Sequence, residues 1–92
     1  MTIIEEDIDV DISEIEDILN TKKLVVFNDD VNSFQFVIET LIKVCEQTPD
    51  QAEQCTWIIH HKGKCAVKEG SHDELKPFRN AITERGIKAT IE

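Results

Sequence analysis

Asn28, Asp29 and Asp30 stand in a row directly after the apolar run Leu24-Val25-Val26-Phe27. An amide beside two carboxylates offers acceptors to a cation: a metal ion, a Lys or Arg side chain, or the ammonium of a peptide start. A plainer chemistry competes. Asp and Asn bond their own backbone in turns, and negative charge near a helix N-terminus is favourable by roughly 0.3–1 kcal/mol. Three such residues are nevertheless more than one cap requires. His60 and His61 form the second polar feature, at the end of the apolar stretch Trp57-Ile58-Ile59. Imidazole there reads either as a structural side chain at a helix C-terminus or as a ligand-binding group. A zinc site would gather His60 or His61, Cys65, His72 and an Asp, but no spacing matches a structural zinc site, so neither metal nor organic cofactor is expected. A hydrolase using Asp29, Asp30 and His60 would need a nucleophile and an oxyanion site. Ser33 and Ser71 lack that context, and no catalytic residue is assigned.

The elements that must position these groups follow from period and punctuation. Lys22 to Phe27 has the β-branched content of a buried strand. Ser33 is a plausible cap for a helix of about three turns in which Phe34, Val37, Ile38, Leu41 and Val44 recur at three- and four-residue steps. Thr48-Pro49-Asp50-Gln51 is a second start: Thr as cap, Pro at the first helical position and Gln closing a capping box. That helix runs through Ala52, Cys55, Ile58 and Ile59 to His61, and Gly63 supplies a left-handed stop. Cys65-Ala66-Val67 reads as a short second strand. A last helix is expected to begin near Asp73 rather than at Ser71, because Pro77 is tolerated only in a first turn, and to end at Gly86. Ile87, Ala89 and Ile91 alternate with Lys88 and Thr90 as a half-buried closing strand. The order is β-α-α-β-α-β, a small α+β layer (an α/β sandwich) with a three-stranded sheet covered by helices.

Ninety-two residues with a net charge of −9 suit one small domain, and the charge is unevenly placed. Residues 1–20 hold eight acids and no Lys or Arg, whereas the remainder holds eleven acids and ten bases. An acidic, flexible N-terminal extension over 1–20 and a balanced domain over 21–92 are therefore expected. Nucleic acid and anionic membrane are disfavoured as partners, since both need Lys/Arg patches; a protein partner fits better. No stretch approaches the roughly 18 apolar residues of a membrane span, nothing reads as a signal peptide, and a cytoplasmic location is expected. Cys45, Cys55 and Cys65 are odd in number and lack CxxC spacing, which suits reduced, structural thiols.

Asn28-Asp29-Asp30 after an apolar strand, Phe36-Val37 opening a helix, Gln51-Ala52 in the next, His60-x-x-Gly63-Lys64, and a closing strand ending Thr90-Ile91-Glu92 together resemble the ClpS family over about residues 22–92. These are adaptors that deliver proteins bearing N-degrons to a Clp-family AAA+ unfoldase. The resemblance implies a pocket for the first side chain of a substrate. Asn28 and His60 would bond its free α-amino group, with Asp29 assisting through water and Asp30 holding the peptide backbone or the loop. Asn32 would line the mouth, where the family often has Thr, and Phe34 would stand at a gate where Met is common. Val37, Thr56, Ile59 and Ile87 would form the walls, Thr56 replacing a larger apolar residue. Asp73 and Lys76 would match a surface that docks on the unfoldase's N-terminal domain, although the Gly70 to Gly86 segment is shorter than in typical members. A monomer is expected.

Physical chemistry supports this division of labour. Burying a Leu or Phe side chain is worth roughly 1.5–3 kcal/mol, which selects large apolar residues but does not tell a chain start from an internal residue. The amide, carboxylates and imidazole supply that test, since an acetylated start would leave them unpaired at a cost of about 1–3 kcal/mol. Neutral His60 accepts a hydrogen bond while protonated His60 repels an ammonium, so binding should weaken below about pH 6.5. The rival readings are a regulator of the same fold that docks on the unfoldase without degron recognition, and a small metal-binding or hydrolytic protein built on Asp29, Asp30 and His60.

Overall fold

The computed structural model describes residue 15 and residues 20–92, so the expectation of an acidic extension over 1–20 falls almost wholly outside the described residues. Strand β1 (Lys22–Phe27), helices α1 (Phe34–Cys45) and α2 (Pro49–Lys62), strand β2 (Lys64–Gly70), helix α3 (His72–Glu84) and strand β3 (Ala89–Ile91) follow in the β-α-α-β-α-β order. The strands form one antiparallel sheet in the order β2-β1-β3, and the fold is α+β.

The middle place of β1 explains its unbroken apolar run: Leu24, Val25 and Val26 are all buried, whereas the edge strand β2 alternates between exposed and half-buried residues. Strand β2 is longer than the Cys65 to Val67 segment expected, because Lys64, Lys68 and Glu69 hide an edge strand behind polar residues. Leu24 faces Lys68 but Val25 faces Ala66, so Val67 is bulged out of the ladder. Its carbonyl instead accepts from Gln47 Nε2 at 3.2 Å, pinning the α1–α2 connection to the sheet.

Helices α1 and α2 form an antiparallel hairpin. Ser33 caps α1, its Oγ accepting from Phe36 N at 3.1 Å. Glu46 turns the chain in the left-handed region at φ 57°, and Thr48 and Gln51 then close the expected capping box. At the other end of α2, Gly63 lies at φ 95°, where a Cβ would be strained, and its N–H reaches Ile59 O at 2.9 Å. Leu41, Ala52, Ile59, Leu75 and Ile82 interlock with Leu24 and Val26 as the core beneath the sheet.

The start of α3 corrects the sequence reading. Ser71 is the cap, Glu74 completes a capping box with it, and His72 rather than Asp73 opens the helix. Pro77 lies in the second turn, where it leaves the carbonyl of Asp73 without its intrahelical donor. Asp73 is exposed, and the reciprocal box holds the first turn. The three cysteines are free. Burial pushes the Cys45 thiol up to about 11; burial, with Cys55 beside it, does the same to Cys65. No helix among the described residues is long and apolar enough to cross a membrane.

Candidate functional site

The polar surplus after β1 is divided by the fold. Asp29 is spent on the turn: its Oδ1 accepts from Val31 N at 2.9 Å and from Asn32 N at 2.7 Å, and its Oδ2 accepts from Asn32 Nδ2 at 2.7 Å. These donors, the Asn32 N–H foremost, hold the Asp29 carboxyl below its usual range against an opposing desolvation. The cap of α1 is Ser33, which leaves Asn28 and Asp30 free of that duty. Both are exposed, and among the described residues neither side chain has a hydrogen-bond partner.

Three connections fasten this turn to distant segments. The N–H of Asn28 donates to Gly63 O at 2.9 Å, joining the end of β1 to the cap of α2. Asn32 Nδ2 also donates to Gly86 O at 2.9 Å, tying the turn to the residue before Ile87. The rings of Phe34 and His60 meet edge-to-face with centroids 6.1 Å apart at 85°. Asn28, Asn32, Phe34, His60 and Ile87 thus come from three stretches of chain but converge at one end of the helical hairpin. His60 is exposed, with no hydrogen bond to its imidazole among the described residues, and its ring also stands 5.5 Å from that of His61.

Beneath this rim lie Val37, Thr56, Ile59 and Ile87, exposed by 8, 2, 2 and 2%. Val37, Ile59 and Ile87 belong to the continuous core, so any cavity here is walled by side chains that the fold already locks in place. Thr40, one turn deeper along α1, donates to Phe36 O at 2.9 Å and accepts from Arg85 Nε at 2.8 Å, and the Arg85 guanidinium lies 4.8 Å from the Phe36 ring. Arg85 therefore locks α1 against the end of α3. No local pattern signals this bridge or the two glycine carbonyls that anchor the turn; Gly63 and Gly86 are legible only as helix stops.

Asp73 and Lys76 are exposed near the start of α3, ~17 Å of helix away from Gly86 and the rim. They are not part of the converged site. A depression on the outer face of α2, lined by Asp50, Glu53, Gln54 and Trp57, includes none of the candidate site residues. Among the described residues no group of three or more His, Cys, Asp or Glu side chains is arranged to hold a metal ion.

A family model described as ATP-dependent Clp protease adaptor protein ClpS matches residues 20–90. ClpS adapter proteins from Thermosynechococcus vestitus and Nostoc sp. are 30% and 32% identical over 66 residues, covering 71% of this chain and 70% and 68% of theirs. A chloroplastic adapter from Chlamydomonas reinhardtii is 31% identical over 76% of this chain and 44% of its own length. Among solved structures, Agrobacterium tumefaciens ClpS2 bound to L-phenylalaninamide superposes with a TM-score of 0.73 at 23% identity, covering 79% of this chain and 95% of that one.

Proposed function

Because the chain belongs to the ClpS family of Clp protease adaptors, we propose that it binds proteins through a free, large apolar N-terminal residue (Leu, Phe, Tyr or Trp) and delivers them to a Clp AAA+ unfoldase. It carries out no chemical step of its own, acts as a monomer in the cytoplasm, and docks on the N-terminal domain of the unfoldase through a surface that includes Asp73 and Lys76. The observation that carries the reading is the convergence of the 28–34 turn, the end of α2 and the Gly86-Ile87 segment, fastened by Asn28 N to Gly63 O and Asn32 Nδ2 to Gly86 O. In this reading the unpaired side chains of Asn28 and His60 are the acceptors of the rim, Asp30 holds the peptide backbone or the loop, and the buried Val37, Thr56, Ile59 and Ile87 are the floor. Those acceptors suit the three donors of an ammonium, and the floor suits an apolar side chain. The ligand of the Agrobacterium tumefaciens structure has this chemistry: L-phenylalaninamide presents a free α-amino group and a benzyl side chain, and its amide stands in for the next peptide bond.

Asp29 assists by holding the turn, and through water where the ammonium leaves a donor over. Phe34, resting on His60, guards the entry. The decisive experiment is fluorescence anisotropy with one peptide sequence begun by Leu, Phe, Trp, Val or Met, each free and N-acetylated. Tight binding confined to free Leu and aromatic starts is expected. Equal binding of acetylated peptides would sink the ammonium site, and no binding at all would favour a regulator that docks on the unfoldase without recognising degrons.

A further inference from the structure

Thr40 and Thr56 are the buried polar side chains of the described residues, and the fold treats them differently. Thr40 uses its hydroxyl twice, donating to the carbonyl of Phe36 four residues back and accepting from Arg85. Thr56 is 2% exposed, and its Oγ1 has no hydrogen-bond partner among the described residues. A helical threonine has an obvious recourse in the carbonyl four residues earlier, here that of Ala52, as Thr40 demonstrates. Thr56 does not take it. A desolvated hydroxyl left without a partner is a standing cost to the fold, and it marks a place where a partner is missing.

Its position says what that partner would be. Thr56 lies one turn before His60 on α2, and Val37 lies one turn after Phe34 on α1. Since Phe34 and His60 meet at the rim, Val37 and Thr56 lie about 5.4 Å further in, one helical pitch. That depth is close to the span from the Cβ of a tyrosine to its phenol oxygen. We infer that the Thr56 hydroxyl is a specificity determinant of the pocket, bonding the phenol of an N-terminal tyrosine and ranking tyrosine above phenylalanine. The inference rests on the degron reading above. Apolar walls such as Val37, Ile59 and Ile87 discriminate poorly against an added hydroxyl, whereas a buried polar group that needs a partner rejects the side chain lacking one.

The test is the ratio of dissociation constants for peptides differing only in a free Tyr or Phe start, in the full chain and in Thr56→Val and Thr56→Ser, with acetylated controls and a thermal melt of each variant. Tyrosine is expected to bind about tenfold more tightly than phenylalanine in the natural chain and in Thr56→Ser, and the ratio is expected to fall to about one in Thr56→Val. Free peptides that bind with a ratio near one in the natural chain, or a ratio that Thr56→Val leaves intact, would overturn the role of Thr56 while leaving the adaptor reading standing. Failure of every free peptide to bind, or equal binding of acetylated ones, would overturn both.

Discussion

The two ends of the α1–α2 hairpin are built from similar residue types and put them to opposite uses. At the closed end, Thr48 and Gln51 bond each other's backbone, Gln47 bonds Val67 O, and Cys45 is sealed in the core. At the rim end, Asp29 and Ser33 absorb the local backbone donors, and the side chains of Asn28, Asp30 and His60 are left exposed and unpaired. A polar or nucleophilic side chain therefore indicates function here by what it leaves unbonded, not by its type. The Cys45 thiol gives the strongest test of the closed end. Raising it from 9.0 to about 11 lowers its thiolate fraction at pH 8 by about a hundredfold. Alkylation of the folded protein, followed residue by residue by mass spectrometry, should show Cys45 modified about a hundred times more slowly than in urea. Labelling at the denatured rate would mean that the closed end is open.

The rim end is broken by removing what it leaves unpaired. In the proposed complex His60→Ala deletes an acceptor facing a charged donor, and Asp30→Ala deletes the carboxylate that holds the peptide backbone or the loop, each worth about 1.5–3 kcal/mol, so peptide affinity should fall roughly thirtyfold for each. Neither side chain has a hydrogen-bond partner among the described residues, and the melting temperature should stay within a degree or two. A variant that loses binding and stability together would reassign that residue to bracing the fold.

How much of this was legible in the sequence follows the same division. The strand before Asn28, the Thr48-Pro49 start and the Gly63 stop were readable because each rests on contacts a few residues apart. The full length of β2 was not, because an edge strand needs only one buried face and its lysines hide the other. The start of α3 lies one residue before Asp73 because the Ser71–Glu74 box holds a first turn ahead of Pro77. At the site, the residue types of the rim could be named, but the bond from Asn32 to Gly86 spans 54 positions and has no local signature. Nor does a sequence reveal that one of two buried threonines lacks a partner.

Asp29 lies on the boundary between the two uses, and its removal should have an intermediate effect. Asp29→Ala deletes three acceptor bonds in a partly exposed turn, with an expected loss of about 1–2 kcal/mol in urea unfolding at pH 7 and a weaker secondary loss of peptide affinity. The pH dependence fixes the cause. The folded carboxyl titrates below its unfolded value of about 4, so its contribution is complete above that value and disappears as pH falls through the lower folded one. The gap in stability between the natural chain and Asp29→Ala should therefore close in acid, and a gap unchanged at pH 3 would point to lost packing instead of the carboxylate.

The smallest effect sharpens the comparison most cleanly. Thr48→Ala removes the acceptor for Gln51 N and leaves the reciprocal bond from Thr48 N to Gln51 Oε1 available, so the cost should be about 1 kcal/mol. The site of the change is separated from His60 by most of the length of α2, ~18 Å at the rise of an α-helix. A cap secures the first turn and not the last, so peptide affinity should be unchanged while the chemical-denaturation midpoint falls. If Thr48→Ala weakens binding as much as it weakens the fold, the hairpin transmits strain along its length. The rim would then owe its geometry to the closed end, and not to the bonds from Asn28 and Asn32 that hold it locally.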